Sequence, residues 1–535
     1  MKTILKLIMI VMICSSQQAH AVFFDWARYY DGGGIDKGLH ATTDALGNAY
    51  LTGVAALPGG SKIISSAYND AGTLLWQRIA NTFLPGTPIQ VERDAALNTF
   101  VLCQVSASSF TLIRYNANAV EKWRKNYLNY VVKFKVGDPA AVYICGITPA
   151  GAVMRRINKN TGASVWTRSY SDVTLLPNSY HSDFTIDVNS NVYFGGTCAG
   201  TVDDYDYRMI KVTKNGNLVY NIQHDAGSTE DEEVFKIAAN DAGQLFIVGD
   251  YDCYIPVRDF VTISKYSQFG LPLWHTQFWT SGTSSGYSPM DVQVGPDGNP
   301  VVVGTAHDFY NVTPDGETDR IQVGKYNTST GAEIFLVYPD DVTYSDPTLI
   351  ERAKCMTIDA TNNIYVGGSS NVYAGYSVQP NRWLALKVLG TTGAREWGEA
   401  GVGDYDPLNE MADVAVTSSN DSYWAGSENF SGNVNMWLTK YCEVGCFDAR
   451  LSSSGISTPS LTVYPNPSIS SFTLSNVNED ELFTISVYDL NGKLLEEYPG
   501  IKGMIQFGSR LSPGAYFVKY LSATENKTFR ISKLD

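Results

Sequence analysis

The chain has 535 residues, 44% hydrophobic and 17% charged, with a formal net charge of −15 at pH 7. That balance can furnish a large core, and it argues against nucleic-acid binding, which depends on cations that neutralise phosphates. The 47 glycines and 33 tyrosines, without long helical periodicity, suit an all-β chain rich in turns.

In chain order, residues 1–21 read as a secretory signal peptide. Lys2 and Lys6 precede an apolar run over 7–13, and Ala19-His20-Ala21 offers a small-x-small cleavage site. The run is far shorter than the ~20 residues a membrane span needs. Ile13 before Cys14 does not fit a lipoprotein site, which wants a small residue there. No later segment is long and apolar enough to span a membrane, so the mature form is expected to carry no span.

From residue 22 a pattern recurs: a turn rich in Asp, Gly and Asn, then a short apolar run ending in Gly. It appears as DALGNAYLTG at 44–53, DPAAVYICG at 138–146, DVNSNVYFGG at 187–196 and NDAGQLFIVG at 240–249. Further copies are GPDGNPVVVG at 295–304, DATNNIYVGG at 359–368 and a degraded TSSNDSYWAG at 417–426. In DAALNTFVLC at 94–103 Cys103 replaces the final glycine. Eight copies spaced 43 to 64 residues apart match the length of a propeller blade.

Each copy is followed by a Lys/Arg-Tyr run, a Gly turn and a Trp-type strand, with Trp at 76, 123, 166, 274 and 397. The eighth, MWLTKY at 436–441, lacks its Trp strand, and a spare one, DWARYY, stands at 25–30. An N-terminal strand that completes the last blade would pin a ring shut and cover its free edges. The expectation is an all-β chain, with an eight-bladed β-propeller over 22–447 and a seven-bladed ring as the alternative. These motifs resemble the SBBP-type β-propeller repeats of bacterial secreted proteins, a resemblance that implies architecture and leaves activity open.

Seven cysteines remain after the leader. Cys103, Cys145 and Cys355 lie in apolar strands and read as packed thiols, while Cys442 and Cys446 form the best local disulfide candidate in an oxidising compartment. Residues 448–460 are a Ser-rich linker. Beyond it, 461–535 alternates as five or more strands, a small β-sandwich.

This tail carries Tyr464-Pro465-Asn466-Pro467, then Asp489 with Gly492-Lys493, then Gly514-x-Tyr516, and a basic final strand ending at Lys533. Their order and spacing resemble the C-terminal sorting domain of the type IX secretion system of Bacteroidota. The resemblance implies recognition of 461–535 by that machinery, removal of the tail, and a product released or attached to the outer cell surface.

Chemistry-bearing residues are scattered. His40, His181, His224, His275 and His307 fall at non-equivalent repeat positions, and Gly282-Thr283-Ser284-Ser285-Gly286 lacks the strand–turn–helix setting of a nucleophile elbow. No residue is assigned a catalytic or metal-ligating role, and no cofactor is expected. Acidic loops at Asp225/Glu230/Asp231/Glu232/Glu233, Asp340/Asp341/Asp346 and Asp404/Asp406/Glu410 could hold Ca²⁺ on one rim, or simply be solvated turns. Asp183, Asp291 and Asp413 recur four residues before a repeat turn, which suggests hydrogen bonds to a neighbouring blade. Abundant Tyr and Trp invite a carbohydrate-binding reading, but they sit at repeat positions that should pack between blades.

The segment NKNTGASVW at 158–166 resembles the outer-strand motif of quinoprotein dehydrogenases. Three readings follow: a binding, adhesion or scaffold module for a surface polysaccharide or protein; an enzyme built from loops of the ring, quinoprotein-like or hydrolytic; and a structural surface-layer component.

Overall fold

The computed structural model describes residues 23–533 except 129–130, 138–139, 149, 172–181, 200–204, 225–230, 255–256, 279–285, 309–317, 340–348, 375–376, 379–381, 401–408, 431–432, 443–461, 465–470, 476–481, 490–492, 504 and 523–525. The expected leader with Ala19 and Ala21, the linker, Cys446, Pro465, Asn466, Pro467, Gly492 and Ser284 therefore lie outside the described residues, as do most of the acidic loops. The chain divides into two compact units, Met1–Val444 and Gly445–Asp535.

In the first unit every repeat forms an antiparallel sheet built on a four-stranded meander. Sheets one to seven cover 37–79, 87–128, 131–170, 182–224, 231–278, 286–337 and 349–400. The seventh also carries a two-residue strand, Ser377–Val378. The eighth has three strands within 410–442, and its fourth is Phe23–Tyr30, which pairs antiparallel with Asn433–Cys442. The two least regular repeats, at 94–103 and 417–426, both lie in complete four-stranded sheets. The first strands of the sheets neighbour one another in sequence, and Glu410–Val416 returns to contact Lys37–Thr43. The unit is thus a β-propeller, its first strands around the axis and the Trp strands outermost.

The repeat residues explain the local geometry. Asp44 accepts the main-chain N–H groups of Leu46 and Asn48, the Asn48 side-chain amide and the Tyr50 hydroxyl, all within 3 Å. Asp187 does the same with Asn189, Asn191 and Tyr193, and Asp359 with Thr361 and Asn363, its Tyr365 hydroxyl contact being longer at 3.4 Å. One carboxylate thus replaces several turn donors' water partners and ties the hairpin to the strand that follows.

Neighbouring sheets are joined by a second repeated device. The indole Nε1 of Trp123 donates to the Lys159 carbonyl at 3.0 Å, Trp166 to Lys214 at 2.9 Å, and Trp274 to Thr328 at 2.9 Å. Beneath each ring lies a turn glycine of the next sheet, Gly162, Gly216 and Gly331. A Cβ there would stand 2.7–2.9 Å from indole carbons, and φ is +68°, +80° and +73°. Only glycine meets both demands. NKNTGASVW is therefore a seam element: Gly162 lies under one indole, and Trp166 forms the next seam.

Sheet two departs from this rule. Its turn carries Ala119 at φ +57° instead of glycine. Trp76 of sheet one packs against Tyr50, with its ring 4.2 Å from the Arg78 guanidinium carbon, which is a cation–π contact.

Among the described residues, the second unit is a sandwich of seven strands. One sheet holds Thr462–Tyr464, Phe472–Ser475 and Ile505–Phe507; the other holds Phe483–Tyr488, Leu494–Ile501, Gly514–Ser522 and Asn526–Lys533. Phe472, Leu474 and Phe507 from the first face Ile485, Val487, Val518 and Ile531 from the second in one core. Five or more strands were expected; Thr462–Tyr464 and Leu494–Ile501 are the two beyond those five, the latter on an outer edge, where Pro499 is tolerated.

Candidate functional site

The first strands of sheets two to six line a cavity of about 780 Å³ on the propeller axis. Its charged groups come from strands far apart in sequence: Lys133 and Lys135 from sheet three, Asp183 from four, Lys236 from five and Asp291 from six. They share a register. The position four residues before the repeat turn carries His40, Gln90, Asp183, Lys236, Asp291, Cys355 and Asp413, with Lys133 equivalent to Asp183 by strand pairing.

Most of this ring links sheets. Lys133 Nζ is 2.7 Å from Asp183 Oδ1, and Asp183 also accepts the main-chain N–H of Ile237 at 3.1 Å. Asp413 accepts the Ala41 N–H at 3.0 Å and meets His40 Nδ1 at 2.6 Å. The Gln90 side chain bonds both the N–H and the carbonyl of Phe134. Two of the three recurrent aspartates therefore bridge sheets, while Asp291 turns to its own strand, accepting from Val292 N–H and Gln293 Nε2 at 2.9 Å.

The cavity's electrostatics follow from confinement. Burial pushes the Asp291 carboxyl up, and Asp183 adds to the rise against the pull of Gln293 and Lys236. Burial lowers Lys236, reinforced by Lys133. For Lys135 burial lowers too, but Glu92, Asp291 and Asp183 outweigh it and the ammonium is held above its ordinary value. Glu92 stands behind the wall, raised by burial, accepting the Val136 N–H and the Gln90 amide.

The other expected positions resolve as follows. Cys103, Cys145 and Cys355 are buried, and burial pushes the Cys103 thiol up to about 12, as packed thiols require. Cys442 is buried opposite Phe23. His275 Nδ1 lies 2.8 Å from Ser264 Oγ, but Ser264 is sealed within sheet five. Among the described residues no group of three or more His, Cys, Asp or Glu could hold a metal ion. The aromatic repeat residues pack on one another, Phe100 on Trp123 and Tyr143 on Trp166, rather than presenting flat faces outward.

In the sandwich, Tyr464 pairs with Thr473. Asp489 closes a hairpin by accepting the Lys493 N–H at 2.9 Å. Gly514 opens the strand whose Tyr516 hydroxyl donates to the Ser512 carbonyl at 2.6 Å. Lys533 is buried, with its Nζ on the Gly508 carbonyl at 3.3 Å. The last strand is thereby tied to the turn that follows Ile505–Phe507 in the opposite sheet.

Residues 462–533 match the secretion system C-terminal sorting domain family, so the chain carries a type IX sorting domain and is exported by that route. Among solved structures, the propeller of Dos1 is 8% identical with a TM-score of 0.42, covering 78% of this chain and 94% of that one. The β-propeller domain of the Trilobed protease from Pyrococcus furiosus is 7% identical, TM-score 0.38, covering 72% and 99%. A polysaccharide lyase, an ulvan lyase bound to a sugar ligand, is 11% identical, TM-score 0.37, covering 80% and 100%. Likeness this loose says nothing about activity. The sequence matches no curated protein.

Proposed function

We propose that this protein is a secreted or cell-surface propeller that serves as a binding, adhesion or scaffold module for a surface polysaccharide or protein. Its four-stranded sheets act as eight blades of one closed ring, of the SBBP repeat type, led through the inner membrane by residues 1–21. The supporting observation is the ring position at the axis. Where an enzyme of this fold would bring reactive groups together, Asp183, Asp413, His40 and Gln90 are spent on bonds between sheets. A glycan array and a pull-down of surface proteins with the mature secreted protein test this reading. Saturable binding without turnover supports it.

One observation favours a second reading, an enzyme working from the axis. Asp291 is pushed up and Lys236 down within one cavity, a pairing that suits proton transfer. Turnover in a hydrolase and oxidoreductase panel, abolished by Asp291→Asn with the fold intact, would replace the binding-module reading.

A further inference from the structure

The protein is strongly acidic, with a net charge of −15, yet its axial cavity gathers three lysines, two from sheet three and one from sheet five, on either side of sheet four. Lys133 is satisfied by Asp183 and the Ser182 carbonyl. Lys135 and Lys236 also line the cavity, but neither ammonium makes a hydrogen bond or ion pair with a described residue. Lys135 is held at a distance by Glu92, Asp291, Asp183 and Asp413, and Lys236 by Asp183 and Asp291. Asp183 is already committed to Lys133 and Ile237, Glu92 to Val136 and Gln90, and Asp291 to Val292 and Gln293. Asp413 is likewise committed to His40 and Ala41, so each of these carboxylates is taken and two ammonium groups line one cavity without a described hydrogen-bond partner. Lys236 is half-buried and Lys135 is exposed along the cavity wall, so a group that supplies acceptors to both gains two charge-assisted hydrogen bonds.

We propose that the axial cavity is a binding site for a small oxyanion, a carboxylate or phosphoryl group, bridged between the ammonium groups of Lys135 and Lys236. The anion accepts a charge-assisted hydrogen bond from each lysine, and the Thr185 hydroxyl in the cavity lining offers a donor to the rest of the molecule. A cavity of about 780 Å³ leaves room for a body well beyond the anionic group, so the ligand class is an organic acid or a phosphorylated small molecule. A bare divalent cation is disfavoured, because the lysines stand between the carboxylates that would ligate it. The inference stands apart from the binding-module reading, which concerns a macromolecule outside the ring.

The test is calorimetric titration of the full mature chain with inorganic phosphate and, separately, with succinate, at ionic strength held constant with chloride. Saturable binding of at least one is expected, weakened about tenfold or more in the Lys135→Gln/Lys236→Gln variant, which loses two charge-assisted bonds. Preference for succinate identifies an organic acid, and preference for phosphate a phosphoryl group; either supports the site. The single variant Lys135→Gln, whose side chain faces the open cavity, guards against misfolding and should also weaken binding. No binding by the wild type, or equal affinity in the variants, overturns the proposal.

Discussion

The indole Nε1 of Trp26 donates a hydrogen bond of 2.9 Å to the main-chain carbonyl of Asp70, joining the first strand of the chain to sheet one. Trp26 belongs by pairing to sheet eight, so this bond lies across the seam where the two ends of the propeller meet. It repeats the bond that Trp123, Trp166 and Trp274 make elsewhere, and Gly72 lies beneath the ring in the same way, at φ +73°. Closure therefore uses the standard seam, with its Trp strand supplied from the other end of the chain.

That seam also has an electrostatic centre. Lys440 of sheet eight reaches Asp421 at 3.3 Å, Asp25 of the first strand at 3.5 Å, and Asp70 of sheet one. Lys440→Met leaves three carboxylates facing one another around a buried position. The expected cost is about 3–5 kcal/mol in urea unfolding. Removing residues 23–30 should cost more, because it also exposes the edge of Asn433–Cys442.

The seam glycines predict paired substitutions of opposite sign. Gly162→Ala places a methyl group 2.8 Å from the Trp123 ring at a positive φ, and should destabilise the protein by about 1–3 kcal/mol. Ala119→Gly removes a methyl from a residue already at φ +57°, and should raise stability by about 1 kcal/mol. Thermal unfolding of the two variants beside the wild type checks both. A Gly162→Ala protein as stable as the wild type would mean the indole is free to move aside.

A pH dependence follows from Asp94. Burial raises its carboxyl, but Lys159 at 2.9 Å and the Asn98 donors outweigh this and hold it below its ordinary value. A depressed folded pKa gives stability that is fully present above the unfolded value near 4 and lost as pH falls through the folded value. Asp94→Asn should cost about 1–3 kcal/mol at pH 7. The gap to wild type should stay constant down to about pH 4 and close below it, as read by denaturant unfolding across pH. A gap unchanged at pH 2.5 would show that the Lys159 charge contributes nothing.

Much of the propeller was legible because its units recur. The turn aspartates 44, 187 and 359 each make one hydrogen-bond set, so their spacing marks a hairpin wherever it falls. The missing Trp strand after Tyr441 and the spare one at Trp26 were a count that the pairing of Phe23–Tyr30 with Asn433–Cys442 completes. The axial cavity was less legible. Its ring position holds His40, Gln90, Lys133, Asp183, Lys236, Asp291, Cys355 and Asp413, so no residue type repeats around the whole circle. The aspartates stood out as a recurrent type, and the lysines between them did not. The signal that could have found the site is the alternation Lys133, Asp183, Lys236, Asp291 at one register in consecutive repeats. Leu494–Ile501 escaped notice because an exposed edge strand of Leu, Glu and Pro carries little hydrophobic period.

The central claim is that residues 462–533 deliver a closed propeller to the cell exterior. Its most direct test is fractionation of cells with an antibody to the propeller, comparing the full chain with one lacking residues 524–535. That deletion removes the whole final strand, Asn526–Lys533, with buried Lys533, whose Nζ holds the Gly508 turn. The account predicts the full chain's propeller on the surface or in the medium, and the truncated protein folded but confined to the periplasm. Equal surface display of the truncated protein would contradict it.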